Sequence, residues 1–139
     1  MAEDVYSQQK MLSITPAIIA YLDEWKLNAE QIHNILGLPE KIRTRHIQKY
    51  RTGDKALPQT EEVMTRIDHI NGIADALRTT FPFSQQMRYL WLHKPHRRFR
   101  KKRPIELIFN EGIHGLMRVR VEVDCTYGWV APDPVVTSK

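Results

Sequence analysis

The stretch Trp91–Asp124, WLHKPHRRFRKKRPIELIFNEGIHGLMRVRVEVD, decides how this chain is read. Trp91 and Leu92 close an apolar pattern that begins with Phe83, Met87 and Leu90. That pattern predicts a helix stopped by Pro95. Arg103-Pro104-Ile105 is a helix start, because proline in the first turn loses no intrahelical donor. Ile105, Leu107, Ile108 and Phe109 follow, and Gly112 ends the element. Two periods then compete. Val119-Arg120-Val121-Glu122-Val123 alternates as a strand does, whereas Ile113, Leu116, Met117, Arg120, Val121 and Asp124 satisfy one helical face. No partner strand is evident elsewhere, and a lone strand leaves its backbone groups unpaired. The segment is therefore expected to be helical, and the fold class all-α.

Inside the stretch lies a cationic loop. Lys94, Arg97, Arg98, Arg100, Lys101, Lys102 and Arg103 occur with no acid among them. The formal charge of the chain is +5. Without these cations the rest of the chain is close to neutral. Such a cluster is an electrostatic handle for an anionic partner. DNA phosphate and an acidic protein face both fit, as does a solvated loop with no partner. Phe99, in the middle, either anchors the loop or stacks on a base.

Moving toward the N-terminus, helices are expected almost throughout. The first ten residues read as frayed. Thr15-Pro16 reads as a capping hydroxyl followed by proline at the first helical position, with Ile18, Ile19, Leu22 and Trp25 at helical spacing. Asn28 caps a second helix bearing Ile32, Ile35 and Leu36, and Gly37 ends it. A third helix is expected from about Pro39 to Arg51, with Ile42, His46, Ile47 and Tyr50 on one face. Thr60, Glu61 and Glu62 open a fourth, whose stripe is Val63, Ile67, Ile70, Ala74 and Leu77, widened by Met64 and Ile73. Pro82 stops it. After Tyr127 the tail is expected to be extended or irregular, with Val130-Ala131-Pro132-Asp133-Pro134 stiffened by its prolines.

Residues 29–47 resemble a helix-turn-helix, in which the second helix enters the major groove. Arg43, Thr44, Arg45, Gln48, Lys49 and Arg51 are the candidate DNA-binding residues. Arginine can read guanine bidentately and glutamine can read adenine, while Lys49 and Arg51 suit phosphates. An ordinary cationic helix in a bundle gives the same pattern. His33 departs from the motif, because close helix contact favours a small residue there.

Other chemistries find little support. His93 and His96 are three residues apart, but the surrounding cations oppose a divalent ion. The remaining histidines read as polar-face or core residues, so no metal site is expected. No phosphate loop, nucleophile elbow or HExxH is present, and no acid pair suits general acid–base work. Neither a cofactor nor enzyme activity is expected. The single cysteine, Cys125, cannot form an internal disulfide and reads as a small apolar filler in a reducing cytoplasm. No apolar run is long enough for a membrane span, and MAEDVYSQQK lacks the pattern of a secretory signal.

From about Leu27 to Trp129 the chain resembles the Xre/MbcA/ParS antitoxin family, most specifically between Arg66 and Asp124. The ordered set is Arg66-Ile67, Gly72-Ile73, Ala76-Leu77-Arg78, Phe81-Pro82, Trp91-Leu92, Lys94-Pro95, Arg103-Pro104-Ile105-Glu106-Leu107, and Leu116-Met117-Arg118-Val119-Arg120 with Asp124. The chain departs at His96, where asparagine commonly follows the proline. It departs again at Arg100-Lys101-Lys102, where a glycine-containing turn is usual.

The resemblance implies an N-terminal helix-turn-helix bundle, residues 1–79, that dimerises and binds its own promoter DNA. A helical toxin-binding domain, residues 80–139, follows it. The implied partner is a RES-domain toxin that degrades NAD, neutralised by contact near its active site. Trp91, Arg118, Arg120, Asp124 and Trp129 are the candidate toxin-binding residues, since tryptophan and arginine are frequent interface anchors. A proline-restrained tail after Trp129 would lose little entropy on docking. A homodimer also fits the apolar surface offered by Trp25 and the stripe 63–77. A helix-turn-helix regulator without a toxin partner is the alternative, although it has no need of the 91–124 pattern.

Overall fold

The computed structural model describes the backbone of residues 2–130 and the side chains of residues 8–125. Seven α-helices and two short 3-10 turns make up the described residues, with no strand among them. The chain is all-α. It divides into two compact units, residues 1–67 and 68–139. None of the described helices is long and apolar enough to cross a membrane.

The first unit begins with α1, Ala2–Glu24, which runs through Pro16. The expected helix start at Thr15 is therefore wrong, and the expected fraying of the first ten residues does not appear in the backbone. The hydroxyl of Thr15 explains the misreading. A capping threonine accepts from residues ahead of it. Here the buried Thr15 Oγ1 donates backward to the Met11 carbonyl at 2.5 Å and accepts the Leu57 N–H at 3.1 Å. It ties α1 to the segment around residue 57. α1 closes with Lys26 in the left-handed region, φ +64°. There the Leu27 N–H reaches the Leu22 carbonyl and the Lys26 N–H reaches that of Asp23, a Schellman end.

α2, Ala29–Leu36, is capped by Asn28 as expected, and Gln31 completes a capping box that was not expected: the two residues exchange backbone-to-side-chain bonds of 2.8 and 2.9 Å. Gly37 ends it at φ +65°. A Cβ there would also meet Arg66 Nε at 2.6 Å. Arg66 needs that space, because its Nη1 donates to the Ile35 carbonyl at the end of α2 (3.2 Å) and its Nη2 pairs with Glu62 (3.2 Å).

The expected helix from Pro39 to Arg51 is replaced by a loop, a 3-10 turn Thr44–His46, and a short α3, Ile47–Thr52. Two histidines break it up. His33 Nε2 lies 2.6 Å from the Ile42 carbonyl, and His46 Nδ1 accepts the Arg43 N–H at 2.9 Å. Both backbone groups are thereby withdrawn from a helical ladder.

α4, Glu61–Thr80, contains the division between the units, at Ile67 and Asp68. Its stripe is buried as expected, with Val63, Ile70, Ile73 and Leu77 at 0% exposure, but Met64, expected to widen it, is exposed at 38%. Trp25 is likewise buried, at 1%. This apolar surface is used within the chain itself, so it supplies no argument for a homodimer.

The second unit continues with α5 (Gln85–His93), a 3-10 turn (Arg97–Phe99), α6 (Pro104–Glu111) and α7 (Ile113–Val130). The alternation at 119–123 thus belongs to a helix, as expected. α7 continues through Val130, so Gly128–Val130 are helical where an extended tail was expected. Residues 131–139 lie outside the described residues. α6 and α7 pack against each other. The buried face of α7 is Gly115, Leu116, Val119 and Val123, which leaves Met117 and Val121 exposed. Of the expected face of Ile113, Leu116, Met117, Arg120, Val121 and Asp124, only Leu116 is buried, and Val119 and Val123 take the inward places expected of Met117 and Val121. Cys125, two residues beyond Val123, is exposed, and is not the filler it resembled.

Candidate partner-binding surfaces

The structure does not bring the six candidate DNA-binding residues of the first unit onto one helix. Arg43, Thr44 and Arg45 are exposed around the 3-10 turn, whereas Gln48, Lys49 and Arg51 belong to α3. Arg51 is committed internally. It grips Asp23 of α1 with two bonds, 2.8 and 2.9 Å, and donates to Gln48 Oε1 at 2.6 Å. Hydrogen bonding to Asp23 holds the Arg51 pKa above its ordinary value, against the opposing effect of burial. Arg51 and Gln48 therefore join α3 to α1. Arg43 and Thr44 share a concavity with Glu30 and Glu40, whose carboxylates oppose a phosphate there. Arg45 and Lys49 are exposed and make no ion pair among the described residues.

In the second unit, Trp91 is 7% exposed and faces inward. An apolar residue packed this way supports a surface from behind. Its ring lies 4.7 Å from the ring of His96. His96 organises the basic turn. Its Nε2 donates to the Trp91 carbonyl near the end of α5 at 2.9 Å, and its N–H donates to the Lys102 carbonyl at 3.1 Å. The His96 carbonyl receives the N–H groups of Phe99 and Lys101 at 3.0 and 2.9 Å. Phe99 is buried at 5%, so it anchors the loop and does not stack on a base.

Arg100 and Lys101 occupy the left-handed region at φ +55° and +66°. Glycine is at ease there, but an L-residue is held at a cost of about 1–2 kcal/mol. The turn thus has a glycine-type conformation built from cations. His93, the other histidine of the loop, stacks on Tyr89 with ring centroids 4.1 Å apart.

The arginines of α7 divide by role. Arg118 is half exposed, pairs with Glu111 at 3.0 Å, and sits over the Phe99 ring with its guanidinium carbon 5.7 Å from the centroid. Arg120 turns toward α4, where it reaches Asp68 Oδ2 at 3.0 Å and His69 Nδ1 at 3.2 Å. Gly72 makes room for it, since a Cβ there would lie 2.4 Å from Arg120 Nε. Burial, and then the Arg120 charge, lower the His69 pKa against the opposing pull of Asp68. Arg120 is therefore a tie between α4 and α7. Asp124 is exposed beside it, in a shallow concavity with Asp75 and Thr79. Trp129 belongs to α7, and its side chain lies outside the described ones.

The sequence reading missed an open groove of about 550 Å³ between the basic turn and α7, lined by Arg98, Phe99, Met117, Arg118, Val121 and Glu122. Met117 is 45% exposed and Val121 63%. Arg98 crosses to Glu122 at 3.3 Å. Burial of the Leu116, Val119 and Val123 face sets Met117 and Val121 outward.

Residues 76–126 match the family model of the antitoxin Xre/MbcA/ParS C-terminal toxin-binding domain. The match begins in α4, includes all of α5 and α6 with the basic turn between them, and ends within α7. It takes in the groove and the Trp91–His96 pair. No curated protein and no solved structure matches the chain.

Proposed function

We propose that the chain is the antitoxin of a type II toxin–antitoxin pair and neutralises its toxin by direct contact through the second unit. The carrying observation is that the toxin-binding family match, residues 76–126, falls on a helical segment with an open apolar groove and a basic turn. A stable domain with no partner has little need for such a groove. In finer detail, the toxin is a RES-domain protein that degrades NAD. The chain works as a homodimer, and residues 1–79 bind its own promoter. Exposed Arg45 and Lys49 are the residues left to contact DNA, since Gln48 and Arg51 are engaged with each other and with Asp23, and Arg43 and Thr44 lie beside Glu30 and Glu40. Arg118, Asp124 and Trp129 are proposed for toxin contact, with Trp91 and Arg120 supporting the surface from beneath.

The test is co-expression with the product of the adjacent gene. The proposal expects growth to be rescued and a stable complex to purify. Promoter binding with neither rescue nor complex would instead favour a regulator without a toxin partner.

A further inference from the structure

Resting on that antitoxin reading, we propose that the groove between the basic turn of residues 97–102 and α7 docks a segment of the partner protein that interleaves acidic with apolar side chains. Three observations carry this. First, the floor is apolar: Met117 and Val121 are large hydrophobic residues exposed on α7, and Phe99 of the turn lines the groove beside them. Second, the turn that borders the groove is cationic. Arg97, Arg100, Lys101 and Lys102 are exposed and form no salt bridge among the described residues, while Arg98 and Arg118 line the groove itself, paired with Glu122 and Glu111. Third, the turn is held firmly. The His96 backbone bonds, the buried Phe99 and the Trp91 contact fix it, although Arg100 and Lys101 both take left-handed conformations. Cations held in place against backbone strain mark a surface whose geometry is used.

The combination selects the occupant. Duplex DNA would answer the rim, but its phosphates leave the floor of Met117 and Val121 uncovered. A protein segment with carboxylates beside leucine- or phenylalanine-type side chains answers both. The carboxylates meet Arg97, Arg100, Lys101 and Lys102, and the apolar side chains cover Met117 and Val121. Charge at the rim sets approach and register, and the apolar contact holds the complex.

Two variants separate the contributions without endangering the fold. Arg100→Gly/Lys101→Gly removes two charges and also relieves two left-handed residues, so thermal stability should hold or rise. Met117→Ser/Val121→Ser empties the floor at exposed positions. Both are titrated as full-length chains by fluorescence anisotropy against a labelled amphipathic peptide with glutamates on one face and leucines on the other. A labelled random-sequence duplex is the second probe.

The wild type should bind the peptide more tightly than the duplex. Each variant should weaken peptide binding, the charge variant by roughly two- to thirtyfold, as expected for two partly exposed charge pairs. No peptide binding, or equal binding by all three proteins, overturns the proposal. So does tighter duplex binding that ignores the serine changes and falls steeply between roughly 50 and 200 mM salt. Toxin capture distinguishes the two levels. Capture by the wild type and both variants alike overturns this surface and keeps the antitoxin reading. Peptide binding that behaves as expected, with no toxin capture by the wild type, overturns the antitoxin reading and keeps the surface.

Discussion

Gly115→Ala puts the α6–α7 packing to a test in which two effects oppose each other. Alanine in a helix interior ordinarily stabilises by about 1 kcal/mol relative to glycine. At Gly115, however, a Cβ would lie 2.0 Å from the Leu107 carbonyl oxygen, 2.6 Å from its carbonyl carbon and 3.0 Å from Ile108 Cα. All three are backbone atoms of α6, so no rotamer change clears the overlap. Restoring a non-bonded separation near 3.5 Å requires the helices to part by more than about 1 Å. That parting would loosen Leu107, Ile108, Leu116 and Val119, each exposed by 2% or less. Overpacking of this kind costs about 1–3 kcal/mol and occasionally more, and a backbone obstacle belongs at the upper end. The net loss should be about 1–3 kcal/mol, or a fall of roughly 3–10 °C in Tm, read by circular dichroism at 222 nm. A Tm equal to or above the wild type would refute the close helix contact. Gly72→Ala is the comparison. It meets only the flexible Arg120 side chain, so its cost should be limited to the pairing with Asp68.

Other outcomes follow from single contacts. Lys26→Gly should stabilise by about 0.5–1 kcal/mol by relieving the left-handed end of α1, seen as a higher urea midpoint with unchanged slope. Thr15→Val should destabilise by about 1–3 kcal/mol, since it strands the buried Leu57 N–H; a neutral result in urea unfolding would count against that staple. The lowered His69 pKa makes the unfolded chain take up this proton first as pH falls. The associated stability is therefore present above the ordinary histidine value, about 6.5, and is lost as pH drops below it. His69→Gln should flatten that part of the stability profile between pH values of about 7.5 and 5.5.

What the sequence disclosed and what it hid divide by the range of the interactions. α2 and α4–α6 were legible because their caps and stoppers are local: Asn28, Gly37, Pro82, Pro95, Pro104 and Gly112 act within a few residues of the helices they bound, although the caps Gln31 and Ser84 were missed. The helical nature of 113–124 was legible because no strand partner was evident, whereas the continuation of α7 to Val130 was not. The errors came from side chains that act at a distance. Thr15 carries a capping residue type, yet its hydroxyl serves Leu57, 42 positions on. The helix expected over 39–51 is broken by His33, which takes a carbonyl nine positions away. Arg120 looked like a surface anchor until Asp68, 52 positions earlier, claimed it. The groove was hidden for a related reason. Which side of α7 faces α6 depends on the close approach at Gly115, and an apolar stripe with two candidate faces does not reveal that choice.

The central claim is neutralisation by contact, and a titration tests it most directly. The purified product of the adjacent gene is assayed for NAD consumption while the full-length chain is added in increasing amounts, with no DNA or transcription present. The account predicts that consumption falls to background at a fixed stoichiometric ratio. Undiminished NAD consumption with the chain in excess would contradict it.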